Sequence, residues 1–217
     1  MNEILSQEIA DGLTDFLCDY SSVKPYLFIQ VINQDNHTGE LERLIYRSHY
    51  ELAITCHIDV SHIVGLPATV TVTHEMLDIL GIDEEQIIDD ALTNAPALRP
   101  VKAYAMPDLM RELVGKEIGD ETGIPMIILT NEDKRYGAGV VFYPGLLAKI
   151  SDETGVNLLL IPSSVHEIIC IPESEGMDYA DINLLITETN RGFVTGNEVL
   201  SDRLFRYNRE SDEICPV

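Results

Sequence analysis

The sequence predicts an α+β protein, with mostly antiparallel sheet hairpins packed by amphipathic helices. Three observations carry this. Glu51 to Val60 alternates with period two, the mark of a strand. Asn2 to Tyr20 places Leu5, Ile9, Leu13, Phe16, Leu17 and Tyr20 on one helical stripe. Hairpin signals are then mixed with helical ones along the chain, with no regular β-α-β alternation, which argues against a parallel sheet.

Taken in order, the first helix is followed by an apolar strand at Tyr26 to Ile32, closed by the polar turn Asn33 to Gly39, and Leu41 to Tyr50 is ambiguous. In Glu51 to Val60, Leu52, Ile54, Cys56 and Ile58 form one face, and Ala53, Thr55, His57 and Asp59 the other, exposed one. Ala68 to Thr73 is β-branched, and Gly65-Leu-Pro67 reads as the turn joining it to the preceding strand. Thr73 caps a helix over Glu75 to Leu80 that Gly81 stops, and Asp83 caps another, ended by Pro96, whose Ile87, Ile88, Ala91 and Leu92 point inward. Val101 to Tyr104 reads as a short strand and Asp108 to Val114 as a helix. The acidic, glycine-rich stretch 115–124 reads as a possible linker, dividing the chain into α+β halves at 1–114 and 125–217 that could equally form one continuous domain.

In the second half, Met126 to Thr130 and Gly139 to Tyr143 read as a hairpin around the polar turn Asn131 to Tyr136. Pro144 opens a helix through Ile150 that ends at Gly155. Asn157 to Ile161 and Glu167 to Ile171 read as strands paired around a Pro-Ser-Ser turn. Asp178 to Asn190 is an amphipathic helix with Ile182, Leu185 and Ile186 inward, and Leu204 to Tyr207 an edge strand. Asp120 to Leu129 resembles Asp152 to Ile161, a local echo too short to define a repeat protein.

Composition narrows the function classes. The 217 residues hold 37 acids against 14 Lys and Arg, a net charge of −23. Such a surface repels a phosphate backbone, so direct nucleic-acid binding is not expected. Thr73 to Leu98 carries seven acids without a Lys or Arg, and Ser151 to Asn190 eight more. They read as solvated helix faces, or as a surface aimed at a basic partner or mimicking nucleic acid. Cys18, Cys56, Cys170 and Cys215 form no C-x-x-C pair, the N-terminus has no secretory pattern, and no apolar run reaches membrane-spanning length. A cytoplasmic setting follows.

Motifs exclude more than they assign. Gly137-Ala-Gly139 enters a strand signal rather than a helix, so it is no dinucleotide loop, and no P-loop, Gly-x-Ser-x-Gly or His-Glu-x-x-His occurs. His49, His57, His62 and Asp59 are close in sequence but lack ligand spacing, so neither a metal nor a cofactor is expected. The one catalytic-looking constellation is Ser163-Ser164-Val165-His166-Glu167. Ser164 and His166 share a face of an extended segment, and hydroxyl, imidazole and carboxylate are the parts of an activated nucleophile. The competing reading is a turn whose hydroxyls bind the backbone. Asn131, Tyr143 and Ser163 are candidate binding positions beside it.

Several segments together resemble a bacterial domain-of-unknown-function family of gut anaerobes: Thr73 to Pro96, Leu129-Thr-Asn131, Tyr143-Pro-Gly-Leu146 and Ile161-Pro-Ser-Ser-x-His-Glu167. The similarity runs from Glu51 to Tyr207, and a more distant uncharacterised family is similar around the acidic helix. The resemblance implies fold unity and a cytoplasmic location, supplies no mechanism, and fits either a short member or a truncated chain. The sequence thus points to a binding or regulatory module acting through a protein partner. A hydrolase-like enzyme using Ser164, His166 and Glu167, and an acidic nucleic-acid mimic, are the alternatives.

Overall fold

A computed structural model describes residues 2–105 and 125–217. Ten strands in two antiparallel sheets, with helices packed on them, make the architecture α+β among the described residues. The expected helix 108–114 and linker 115–124 lie outside them.

The first sheet comprises β1 (Leu27–Asn33), β2 (Tyr46–His49), β3 (Leu52–Asp59) and β4 (Thr69–Thr71). β3 is central: β1 lies along one side, while β2 and β4 share the other, β2 against Leu52 to Thr55 and β4 against His57 to Asp59. Register places Ile29 opposite Cys56 and Val31 opposite Ile54, as the alternation requires. This face meets a helix, since Cys56 Sγ lies 3.9 Å from the Ile87 carbonyl. The reverse face, expected to be exposed, is buried at Ala53, Thr55 and His57. Alternation marks two faces but does not say which of them meets water.

Helices α1 to α4 cover Asn2–Leu17, Tyr20–Val23, Thr38–Leu41 and Ser61–Val64, the last three single turns. α5 (His74–Leu80) follows Thr73 and stops at Gly81, whose φ of 64° is the left-handed conformation glycine adopts freely. In α6 (Glu84–Leu98) Asp83 Oδ1 accepts the Gln86 N–H at 2.9 Å, while Ile87, Ile88, Ala91 and Ala95 are buried. The helix runs two residues beyond Pro96, its expected end, and closes with the Arg99 N–H on the Ala95 carbonyl.

The second sheet has the order β10-β9-β7-β8-β6-β5, from β5 (Val101–Ala105), β6 (Ile127–Asn131), β7 (Leu158–Ser164), β8 (Glu167–Pro172), β9 (Phe205–Asn208) and β10 (Glu213–Pro216). β5 comes from the first half of the sequence, and one core cluster contains Val31 and Ile54 as well as Leu129 and Leu160. A second cluster, Leu159, Ile171, Ile186 and Leu204, lies under α8 (Tyr179–Phe193), which follows α7 (Leu146–Thr154).

Four local expectations change. Gly139 to Tyr143 is not a returning strand: Gly139 to Phe142 belong to the 3₁₀ segment Gly137–Phe142, and Tyr143 follows it in extended conformation. Both edges of β6 are already taken, by β5 and β8, so no edge remains for it. Pro162-Ser-Ser164 belongs to β7, with a register shift at Pro162/Ser164, and the turn is Val165-His166. Leu185 of α8 points outward, 63% exposed, while Ile186 is buried. β9 is interior rather than an edge, because β10 pairs outside it.

Candidate functional site

The signature residues converge on the β7–β8 turn. Ser164 pairs with Glu167 across it, and Ser164 Oγ accepts the His166 N–H at 3.1 Å. His166 Nδ1 accepts the Tyr136 N–H at 3.0 Å, its Nε2 lies 3.5 Å from Glu198 Oε1, and its carbonyl accepts from Thr130 Oγ1 at 2.8 Å. Ser163 Oγ donates to Glu167 Oε1 at 3.3 Å. The segment therefore brings Ser163 to Glu167 and Ser164 to the His166 backbone. The Ser164 hydroxyl and the His166 ring each have a backbone N–H as partner, as in a turn stabilised by its own side chains.

Asn131 and Tyr143 act at the two ends of the following loop. Buried Asn131 closes a turn on itself: its Nδ2 donates to the Arg135 carbonyl at 2.8 Å and its Oδ1 accepts the Arg135 N–H at 3.2 Å. Tyr143 is buried, and its hydroxyl donates to the Arg99 carbonyl at 3.1 Å. Burial pushes its pKa up to about 12, so the phenol stays neutral, although the Arg99 charge opposes the shift. Between these anchors Gly137 is wedged so closely that a Cβ would lie 2.6 Å from the His166 carbonyl oxygen and 2.7 Å from the Asn131 nitrogen, and would collide with Thr130 Oγ1.

The same loop separates two clefts. One, of about 440 Å³, has Asn131, Asp133, Arg135 and Tyr136 on one wall and Phe28, Gln30 and Arg99 among the rest. Its Arg99 is already matched internally: it pairs with Asp59 at 2.7 Å and Asp133 at 3.2 Å, and its guanidinium sits 4.5 Å from the Phe28 ring centre. The other cleft, of about 550 Å³, lies between the tips of two hairpins and the Tyr143-Pro144-Gly145 corner. Ser48, His49 and Tyr50 come from the β2–β3 tip, and Tyr207, Asp212 and Glu213 from the β9–β10 hairpin.

Three features mark this second cleft. Tyr50 and Asp212, one on each tip, have φ values of 54° and 55°, a left-handed conformation that disfavours bulky side chains and that Tyr136 of the other cleft also adopts, at 49°. His49 has an interior Nε2 without a hydrogen-bond partner, and its ring stands edge-on to Phe142 at 5.1 Å and to Tyr50 at 5.0 Å. Burial holds the His49 pKa below its ordinary value, against the opposing Ile214 backbone and Glu51, so the ring is neutral at pH 7. Finally, Tyr207 donates its hydroxyl to Asp212 Oδ1 at 2.7 Å; burial, then that carboxylate, raises its pKa to about 12.

Of these residues the sequence singled out Tyr143 as a binding position and weighed His49 only as a metal ligand. The polar run Arg209 to Asp212 before Ile214 is a turn signal that could have marked the β9–β10 tip. A tyrosine at positive φ has no sequence signature. His49, His57 and His62, considered together as ligands, have separate surroundings: His62 stacks on Tyr26 at 4.1 Å, and buried His57 sits between Thr55 Oγ1 at 2.9 Å and Thr71 Oγ1 at 3.3 Å. Among the described residues no three His, Cys, Asp or Glu side chains are grouped to hold a metal ion, and no helix is long and apolar enough to cross a membrane.

A search of the curated proteins finds no match, and a search of the solved structures finds none either. The model of one protein family, described as a family of unknown function, does match, over residues 3–209. That span takes in the first sheet, all of the second but β10, the β7–β8 turn and the Tyr50 side of the cleft, and the chain belongs to this family, DUF5688.

Proposed function

We propose that this chain is a binding module of the bacterial cytoplasm that acts through a protein partner, and that the partner engages the cleft between the two hairpin tips. The observation that carries the reading is the pair of non-glycine residues in left-handed backbone, Tyr50 and Asp212, one on each tip of the same aromatic-lined cleft. Backbone strain of about 1–3 kcal/mol per residue persists where something depends on the geometry, and binding clefts are where it gathers. The cleft wall is apolar and aromatic at Phe142, Tyr143 and Leu147 and polar at its rim, the usual make-up of a recognition surface.

The hydrolase reading has less support. Ser164 Oγ and His166 Nδ1 are each engaged by a backbone N–H, and the turn that holds them is tied down by Thr130. A nucleic-acid mimic has less support as well, because several acids of the two acidic runs are paired with cations: Asp90 with Lys24, Glu85 and Asp89 with Arg47, and Glu173 with Arg206.

The test is site-specific crosslinking in cells. A photoreactive residue at Tyr50 should form a discrete adduct with one protein, while the same residue at Ile79, exposed on α5, should not. The reading fails if position 50 yields no adduct, or the same adducts as position 79.

A further inference from the structure

We propose that the group seated in the cleft between the hairpin tips is an organic cation, an alkylammonium or guanidinium such as the end of a lysine or arginine side chain. This rests on the partner-binding reading and names the chemistry of what is bound. The argument begins with what lines the cleft. Four aromatic rings, Tyr50, Phe142, Tyr143 and Tyr207, are joined by the carboxylates Asp212 and Glu213, and none of the lining residues is Lys or Arg. The faces of aromatic rings carry partial negative charge and attract ammonium and guanidinium groups, most strongly where water is displaced. A carboxylate at the rim adds charge attraction and orients the cation's N–H donors.

The titratable groups of the wall point the same way. His49 is neutral because burial opposes its charging, so it adds no repulsion for a cation. Tyr143 and Tyr207 are likewise neutral, and the Tyr207 hydroxyl donates to Asp212, fixing that carboxylate at the cleft mouth. Asp212 is nevertheless exposed, with its second oxygen free to accept from a ligand, and Glu213 beside it is exposed too. An anion would meet two carboxylates with no compensating base. A purely apolar group would have to displace water from both of them without replacing their hydrogen bonds. The rest of the molecule favours the same sign, since a net charge of −23 concentrates cations near its surface.

The cleft beside Arg99 supplies an internal contrast. There Arg99 and Arg135 line the wall, and Asp59 and Asp133 already match the Arg99 charge. Among the described residues no such cation meets Asp212, whose partner is a phenol, nor does any residue lining the cleft between the hairpin tips provide one.

The experiment is a titration of the isotope-labelled full chain by amide NMR with four small probes of matched size: n-butylammonium, n-butylguanidinium, 1-butanol and butyrate. Both cations should shift the amides of Ser48 to Glu51, Gly145 and Asp212 to Ile214, while butanol and butyrate should leave them in place. The double variant Asp212→Asn with Glu213→Gln should bind the cations about tenfold more weakly. Asn is chosen because it tolerates the positive φ at position 212, so the hairpin tip is kept. Equal shifts from butanol and butylammonium, shifts confined to other surfaces, or an unweakened double variant would each overturn the proposal. Its failure is separable from that of the partner reading. If the cations fail while Tyr50 still crosslinks to a protein, the chemistry assigned to the cleft is wrong and the partner stands. If the cations bind but no adduct forms, the ligand is a free amine and the partner reading falls.

Discussion

His57 shows how one residue can set the acid limit of the molecule. Burial, helped by the nearby Arg99 charge, drops its pKa from 6.5 to about 3. The folded chain thus refuses a proton that the unfolded chain accepts below pH 6.5. The stability contributed by the neutral ring is complete above 6.5 and is lost as pH falls toward about 3, at about 1.4 kcal/mol per unit. His49, whose pKa is also lowered by burial, acts in the same direction. At Asp59, Asp90 and Glu173 burial raises the pKa, but hydrogen bonds from Ser61, Tyr20 and Tyr179 outweigh it, so their losses begin only near the ordinary values of 3.8 and 4.5. Urea unfolding at about pH 7.5 and about pH 5 should therefore show a marked loss of stability that His57→Gln reduces; an equal loss in the variant would refute this account. Gly137 sets a different kind of limit. Gly137→Ala should destabilise by about 2–3 kcal/mol, because the new methyl meets backbone on two sides. An unchanged urea midpoint would mean that the Asn131–Tyr143 loop can shift away from the β7–β8 turn.

At the scale of elements, α8 binds its sheet through few contacts. Ile186 meets Leu159, Ile171 and Leu204 on the face of the second sheet away from the main core, while Leu184 and Leu185 stand in solvent. Leu159→Ala should cost about 3 kcal/mol, and Leu185→Ala less than about 0.5, in thermal or urea melts. Comparable losses at both positions would show Leu185 packed in solution. The pair also illustrates what local pattern conveys. Period 3.6 locates the helix and Asp178 its start, where its side chain accepts the Ala180 and Asp181 N–H groups, but three adjacent apolar residues leave the inward direction open, and Leu185, expected inward, faces solvent. The strands were legible where alternation or β-branching was strong, at β1, β3, β6 and β8. Gly139 to Tyr143 was not, because its alternation fits a strand and only tertiary structure reveals that β6 has no vacant edge. The candidate site divided similarly. Ser163, Ser164, His166 and Glu167 were recognisable as a set by their residue types, and Ser163 does meet Glu167 and Ser164 the His166 backbone, but the cleft depends on the left-handed Tyr50, which no spacing announces.

The whole molecule carries its charge unevenly and in excess. Net −23 on 217 residues means that the folded state holds more repulsion than its ion pairs relieve. Raising salt from about 10 mM to about 150 mM shortens the screening length from roughly 30 Å to 8 Å. The urea midpoint should therefore rise with sodium chloride; a fall would mean that pairs such as Arg47–Glu85 and Lys24–Asp90 outweigh the repulsion. The order β10-β9-β7-β8-β6-β5 has a further consequence, one of time. Its middle pair, β7 and β8, is joined by the two-residue turn Val165-His166, whereas β9 must come from some fifty residues away along the chain to pair Tyr207 with Leu158. A hairpin of that kind closes in about 1–10 μs, and so should the β9–β10 hairpin across its tip at residues 209–212, whereas the pairing of β9 with β7 waits on the long connection between them. The second sheet should therefore assemble from preformed hairpins during refolding. Pulse-labelled amides that bond β7 to β8 and β9 to β10 would gain protection before those that bond β7 to β9, so that the cleft, walled by Asp212 and Glu213, is completed only when the β9–β10 hairpin docks.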